Sequence, residues 1–187
     1  MSDTSDEELL KLYADGDQAA ARALMLRHAP RVLALAKRML IDAAEAEDVT
    51  QEAMLRLWKI APDWRAGEAK VSTWLYRVGS NLCTDRLRKK RGVGLDEAPE
   101  IEDETPNAED QMMIADRGKA LRAAIDRLPE RQKLALTFRH FEEQTNPEIA
   151  SILDTSVEAV ESLLSRARRA LAADLSSNRS ALGLAKD

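Results

Sequence analysis

Residues 95–110 carry eight carboxylates, two prolines and no basic residue, and this segment limits the possible folds more than any other. Asp96, Glu97, Glu100, Glu102, Asp103, Glu104, Glu109 and Asp110 repel one another, Pro99 and Pro106 oppose a helix, and no apolar period runs through the stretch. Such a segment is expected to be a flexible, self-repelling linker. It divides the 187-residue chain into a unit over residues 1–94 and another over residues 111–175, with a frayed tail over residues 176–187. It also dominates the charge: the chain carries −5 in total and +3 once the eight linker carboxylates are set aside. The negative sum therefore does not exclude nucleic acid as a partner, because charge pattern outweighs the sum.

Both units read as helical. Aromatics make up only 4% of the chain, while Ala, Leu, Glu and Arg are abundant, so an all-α fold of two small domains is expected. Ser5 with Glu8 forms a capping box for a short helix that Gly16 ends. Asp17 caps a second helix through Ala20, Leu24 and Arg27. Pro30 is expected to open a third, with Val32, Leu33, Ala36, Met39 and Leu40 at helical spacing. Asp42 with Glu45 forms another capping box, leading a helix to about Ile60 whose buried stripe is Val49, Ala53, Leu57 and Ile60. After a turn over residues 62–70, a last helix runs from about Ser72 to Arg91, with Trp74, Val78, Leu82 and Leu87 toward the core. In the second unit, Ile114, Leu121, Ile125 and Leu128 mark one helix. Pro129 opens the next, with Leu134, Phe138 and Phe141 inward. Asn146 before Pro147 signals the cap of a short helix holding Ile149, Ala150 and Leu153. Asp154, Thr155 and Ser156 form a turn, and Ser156 caps a final helix with the stripe Val157, Val160, Leu164, Ala167, Leu171 and Leu175.

Several function classes are disfavoured. The one cysteine, Cys83, cannot form an internal disulfide and sits at apolar spacing with Val78 and Leu87, so it is read as core. With His28 and His140 in different units, no metal site, catalytic residue, cofactor or small-molecule substrate is expected. No apolar run is long enough to cross a bilayer, and the acidic start, residues 1–8, resembles neither a secretory signal nor a transit peptide. A cytoplasmic location is expected.

Three features point to binding. A short helix, a three-residue turn and a longer helix form a helix-turn-helix pattern, in which the second helix enters the DNA major groove. Its outward residues are Glu158, Ala159, Glu161, Ser162, Ser165, Arg166 and Arg169, with Ser156 at its start. The bland alternative is a helical hairpin with a solvated face. The helix ending the first unit carries Arg86, Arg88, Lys89, Lys90 and Arg91, and Arg77, Asn81, Thr84 and Arg88 share one of its faces. Fixed positive charge there fits a phosphate backbone, or simply complements a helix C-terminus. The helix from Asp42 to Ile60 has a second, polar stripe of Asp48, Glu52, Leu55 and Lys59, flanked by Gln51 and Arg56. An exposed leucine among charges suggests a protein-docking face, although single exposed leucines are common.

Taken together these segments resemble a known family. Glu45-Ala46-Glu47-Asp48-Val49-Thr50-Gln51-Glu52-Ala53-Met54-Leu55-Arg56-Leu57-Trp58 resembles the second conserved region of the extracytoplasmic-function sigma factors of bacterial RNA polymerase. Val71-Ser72-Thr73-Trp74-Leu75-Tyr76-Arg77-Val78 through Asn81, Asp85, Arg86 and Arg88 is similar to its continuation. Leu128-Pro129-Glu130-Arg131-Gln132, Asn146-Pro147-Glu148-Ile149-Ala150 and the run from Ser165 to Leu171 resemble the fourth region. The resemblance implies that Asp48, Gln51, Glu52, Leu55 and Arg56 bind the β′ clamp helices of core RNA polymerase, and that the second unit meets the β flap. It implies that the loop over residues 64–73, with Asn81, holds a base flipped from the minus-ten promoter element. Arg77, Arg86, Arg88, Lys89, Lys90 and Arg91 would contact that DNA, and Ser156, Glu158, Glu161, Ser162, Ser165, Arg166 and Arg169 the minus-thirty-five element. An anti-sigma factor is a further implied partner, and the acidic linker would run toward the RNA exit path. Two departures stand out. Asp154 occupies a turn position where relatives usually carry Gly, and Asp tolerates a left-handed backbone better than most residues. Glu161 and Leu163 stand where many relatives have basic residues. An adaptor that mimics a sigma factor and binds only the anti-sigma factor is the main alternative. A plain helix-turn-helix repressor leaves the first 94 residues unexplained.

Overall fold

The computed structural model describes residues 4–92 and 109–177. Among them the helix boundaries follow the capping chemistry closely. Ser5 Oγ accepts from the Glu8 N–H at 3.2 Å, and the Glu8 carboxylate accepts from the Ser5 N–H at 2.9 Å, starting α1 (Asp6–Ala14). Hydrogen bonds to the Glu8 carboxylate from the Ser5 N–H and from the Ser5 hydroxyl hold that carboxyl below its usual range. Gly16, at φ +102°, makes the turn that ends α1, a conformation that costs glycine little. Asp17 caps α2 (Gln18–Met39) by accepting from the Ala19 N–H at 2.8 Å.

Pro30 does not start a new helix: α2 continues through it. An interior proline removes one ladder hydrogen bond and costs roughly 3 kcal/mol. Here the apolar stripe stays in phase on both sides of it, with Leu24 and His28 before and Val32, Leu35, Ala36 and Met39 after, all buried. Burying those side chains, at about 1.5–3 kcal/mol for each large one, offsets the loss. Asp42 caps α3 (Ala43–Ile60) through the N–H groups of Ala44 and Glu45. The reciprocal half of the expected box does not form, because the Glu45 carboxylate turns instead to Lys90 Nζ at 2.7 Å. A 3-10 turn follows over Ala61–Asp63, and α4 spans Val71–Gly92. On α4 the buried positions are Val71, Leu75, Tyr76, Gly79, Ser80 and Cys83, while the expected Trp74, Val78, Leu82 and Leu87 are only partly buried.

The second unit contains α5 (Glu109–Asp126), α6 (Glu130–His140), α7 (Asn146–Leu153) and α8 (Val157–Ser177). The acidic linker and most of the tail fall outside the described residues. Glu109 and Asp110, read as linker, start α5, and α8 continues to Ser177 rather than ending at Leu175. The expected burial of Ile114 also falls outside the described side chains. Leu121 and Phe141, expected inward, are 42% and 48% exposed. Phe141 lies beyond the end of α6, and its ring is covered by the Arg38 guanidinium at 4.7 Å. The cap of α7 is Thr145, one residue earlier than expected: its hydroxyl and backbone N–H exchange hydrogen bonds with Glu148 in a full capping box, which puts Pro147 in the first turn.

Burial is organised in three clusters. One joins Leu9 and Leu10 of α1 to Leu24, Val32, Ala53, Leu57 and Leu75. A small one joins Ile125, Leu128, Leu136 and Ala167 inside the second unit. The third crosses between the units: Leu35, Met39, Leu40, Val49, Tyr76 and Cys83 pack with Leu134, Phe138, Ile149, Ile152, Val160 and Leu164. Tyr76 and Phe138 meet edge to face there, with ring centroids 5.3 Å apart. Asp6 latches α1 to α2 by accepting from Arg27 Nη1 at 3.0 Å and pairing with His28 Nε2 at 2.7 Å.

Burial pushes the His28 imidazole below its usual pKa despite the opposing pull of Asp6. The folded chain thus binds this proton less readily than the unfolded chain. His28 contributes stability that is present above the unfolded value near 6.5 and lost as pH falls below it. Denaturant unfolding at pH 7.5 and 5.5 is expected to show this loss, and His28→Gln to reduce it; an unchanged pH slope in the variant would refute the assignment. Cys83 is fully buried, and burial pushes its thiol up to about 12. In native buffer at pH 8 it is expected to react with a thiol reagent far more slowly than a free cysteine. Immediate stoichiometric labelling would contradict that placement.

Candidate functional site

The basic end of α4 is not uniformly presented to solvent. Arg77, Asn81 and Arg88 are exposed and Thr84 is half-buried, so the face expected from their spacing exists. Arg88 and Lys89 extend into solvent with no ion pair among the described residues. The others have partners. Arg86 turns back toward α3, donating to the Glu45 carbonyl at 3.4 Å and standing 3.8 Å from Asp48. Lys90 meets Glu45, and Arg91 meets Glu130 of the second unit at 3.2 Å. Arg77 lies 3.0 Å from Asp154, in the turn of the helix-turn-helix.

Beside α4, the loop leaving the 3-10 turn encloses a cavity of about 230 Å³ lined by Ile60, Trp64, Arg65, Glu68 and Trp74 among others. Trp64 and Trp74 stand edge to face at 6.0 Å. The Trp64 Nε1–H is buried and has no acceptor among the described residues, so the loop keeps an unused donor. Asn81 does not line this cavity. On α3, Asp48, Gln51, Leu55, Arg56 and Lys59 are exposed and Glu52 is half-buried. Leu55 is 65% exposed, and Arg56 donates to Glu52 Oε1 through Nε at 3.0 Å and Nη2 at 2.8 Å. The result is an apolar knob flanked by an intrahelical ion pair, a surface suited to a protein partner.

The helix-turn-helix is formed by α7 and α8. Asp154 ends α7 at φ +51° and ψ +60°, the left-handed conformation its side chain tolerates. Ser156 Oγ accepts from the Ala159 N–H at 3.2 Å, starting α8. Val160, Leu164 and Ala167 are buried on one side of α8. Ser156, Glu158, Glu161, Ser162, Ser165, Arg166 and Arg169 are all exposed on the other, as their spacing requires. The carboxylates lie in the first two turns and the arginines beyond them. The Glu158 carboxyl is held below its usual range by hydrogen bonds from its own backbone and from Ser156.

The Sigma-70 region 2 family matches residues 24–93 and the Sigma-70, region 4 family residues 118–171. The chain is 31% identical over 185 residues to the RNA polymerase sigma-H factor of Pseudomonas aeruginosa, covering 91% of this chain and 94% of that protein. This chain belongs to the extracytoplasmic-function sigma-70 family. It is also 30% identical over 178 residues to the ECF RNA polymerase sigma-E factor of Escherichia coli, covering 89% and 92% of the two chains. The fold of this sigma factor is shared with CnrH, solved in complex with the cytosolic domain of CnrY, at a TM-score of 0.70 and 23% identity over 94% of this chain and 99% of that one. The sigma factor RpoE, solved with the anti-sigma factor NepR from Bartonella quintana, superposes at a TM-score of 0.64, with 19% identity over 84% and 98% of the chains. Its class is that of transcription regulators, and the protein acts as an alternative sigma factor. Among the described residues no helix is long and apolar enough to cross a membrane.

Reading of the sequence alone did not show the contacts of this sigma factor that bridge the units, among them those of Arg38, Tyr76 and Glu142. Glu142 accepts from Arg38 Nη1 at 2.8 Å and from Tyr76 Oη at 2.7 Å. Neither pairing has a local periodicity that could announce it. The capping box of α7 sets the start of the helix that carries α8. Replacing Thr145 by Ala is expected to cost about 1 kcal/mol of stability, measurable as a lowered denaturation midpoint; an unchanged midpoint would mean the box is dispensable.

Proposed function

We propose that the three exposed faces divide the work of promoter-specific initiation. Asp48, Gln51, Glu52, Leu55 and Arg56 on α3 bind the β′ clamp helices of core RNA polymerase, with Leu55 as the apolar anchor. The cavity between Trp64 and Trp74 receives a base extruded from the minus-ten element, where stacking on indoles and the free Trp64 Nε1–H can both act on it. Arg88 and Lys89 engage neighbouring phosphates, with Asn81 on the same face. Arg77, Arg86, Lys90 and Arg91 join them only after releasing Asp154, Asp48, Glu45 and Glu130. The α8 face reads the minus-thirty-five element in the major groove while the second unit meets the β flap.

The observation that carries this reading is the outer face of α8. Six of its polar or charged residues, with Ser156 at its cap, stay exposed on a helix whose other side buries Val160, Leu164 and Ala167. Arg166 and Arg169 supply phosphate or guanine contacts. Glu158 and Glu161 accept from cytosine N4 and disfavour close phosphates. An anti-sigma factor is the expected inhibitory partner, in keeping with the one bound to the Bartonella quintana RpoE. The protein works in the cytoplasm with the polymerase and catalyses no reaction of its own.

Run-off transcription with core polymerase on fragments of the source genome is expected to give specific starts sharing two upstream elements. Binding to core without any start would point to a missing promoter or activator, and failure even to bind core would point to the mimic or a repressor. Leu55→Arg is expected to weaken core binding about tenfold or more, since an apolar anchor is replaced by a charge. Glu161→Lys is expected to change which minus-thirty-five sequences are used, and unchanged preference across a promoter library would refute its reading role.

A further inference from the structure

Helix α1 precedes the stretch matched by the region 2 family, residues 24–93, and belongs to none of the three binding faces. Its seat is nevertheless firm. Leu9 and Leu10 are fully buried and share a cluster with Ala61 of the 3-10 turn. The Tyr13 ring lies 4.7 Å from that of Trp58, in the last turn of α3. At the start of α1, Arg27 donates to the Thr4 carbonyl at 2.7 Å and to Asp6 at 3.0 Å, and His28 pairs with Asp6. The first turn of α1 is therefore fixed on α2. Glu7, the next residue, reaches the loop over residues 64–70 instead: its Oε1 accepts from the Gly67 N–H at 3.3 Å. Gly67 stands at φ +84° between Arg65 and Glu68, which both line the Trp64–Trp74 cavity. Among the described residues the other hydrogen bonds and ion pairs of residues 65–69 are local. The Glu68 N–H donates to the Arg65 carbonyl at 3.5 Å, and the two exposed side chains pair at the same distance. Neither contact fixes the tip of the loop to the rest of the unit.

We propose that Glu7 is a positioning residue for promoter recognition, holding the tip of the 64–70 loop at the distance from α4 that an extruded base requires. The inference rests on the reading of the Trp64–Trp74 cavity as a base site. One wall of that cavity is Trp74, carried by α4, while the opposite wall is the loop itself. The buried Trp64 Nε1–H has no acceptor among the described residues, so it can serve a base only while the loop keeps its place. A shift of about 1 Å is enough to remove most of the benefit of a positioned group. A loop tip with few ties samples many positions, and that freedom is lost when the base enters. Glu7 removes part of it beforehand, because its own helix is already fixed through Asp6, Leu9 and Leu10. In this role the carboxylate touches no DNA and acts through the Gly67 backbone.

The test loads the full chain onto core polymerase and measures binding of a fluorescent single-stranded minus-ten oligonucleotide, taken from a promoter mapped by run-off transcription. Each base is replaced in turn by an abasic site, and the affinity lost is recorded for the parent, Glu7→Ala and Glu7→Gln. The parent is expected to show one position where the loss is large. At that position Glu7→Ala is expected to shrink the loss about fivefold, the scale of one hydrogen bond to a charged acceptor. Glu7→Gln keeps the acceptor oxygen and is expected to behave as the parent. The loss is a ratio taken within each variant, so a general fall in folded protein lowers both affinities alike and leaves it unmoved. A loss undiminished in Glu7→Ala would overturn the positioning role. Glu7→Gln as impaired as Glu7→Ala would overturn the hydrogen bond to Gly67 as its cause. A parent indifferent to every abasic site would instead count against the base cavity itself.

Discussion

The edge-to-face contact of Tyr76 with Phe138 is the interaction on which the arrangement of the two units depends. Both rings lie inside: Phe138 is fully buried and Tyr76 nearly so. The Tyr76 hydroxyl needs a partner once its ring is inside, and Glu142 supplies it. That need fixes the loop after α6, which in turn brings Arg38 over Phe141 and onto the other Glu142 oxygen. The apolar contact thus supplies the adhesion and the hydroxyl supplies the register. Burial and the neighbouring carboxylate push the Tyr76 phenol well above its ordinary pKa, which keeps it a protonated donor to Glu142 at neutral pH.

The charges follow a different logic. The first unit uses arginine and lysine where the second uses glutamate and aspartate, and the exposed pairs each contribute little, about 0–1 kcal/mol. Their value lies in specificity, since misaligned packing would set like charges together. Short-range attraction of this kind weakens as salt rises, whereas the apolar cluster does not. The basic face of α4 is therefore held by the protein's own carboxylates without a large energetic commitment.

Much of this was legible in the chain. Ser5, Asp17, Asp42 and Ser156 cap helices as their spacing requires, and the middle of the α8 stripe, Val160, Leu164 and Ala167, is buried as its period requires, while Val157, Leu171 and Leu175 at its ends are half-buried. Pro30 was misleading because local propensity favours a break, while the stripe through Leu24, His28, Val32 and Leu35 stays in phase and outweighs it. The cap of α7 was open to a better reading: Glu148 lies three residues after Thr145, the reciprocal spacing of a capping box, whereas Asn146 has Ile149 at that distance. What pattern could not show was the pairing across units. Arg77 and Asp154 are 77 positions apart, and nothing in either neighbourhood selects the other. Spacing also marked Arg86, Lys90 and Arg91 as one basic run without showing that carboxylates engage them.

Pro30 sits near the midpoint of α2, where the helix passes from one core to the other. Leu24 and Val32 belong to the cluster with α1, and Leu35, Ala36 and Met39 to the cluster shared with the second unit. Because proline offers no N–H, the carbonyl of Leu26 lacks its usual helical donor, and the hydrogen-bond ladder is weakest at that passage. A rod joined in this way transmits position better than it transmits tension. The half packed under the second unit takes its position from that unit, while Asp6, Arg27 and His28 keep the other half seated against α1.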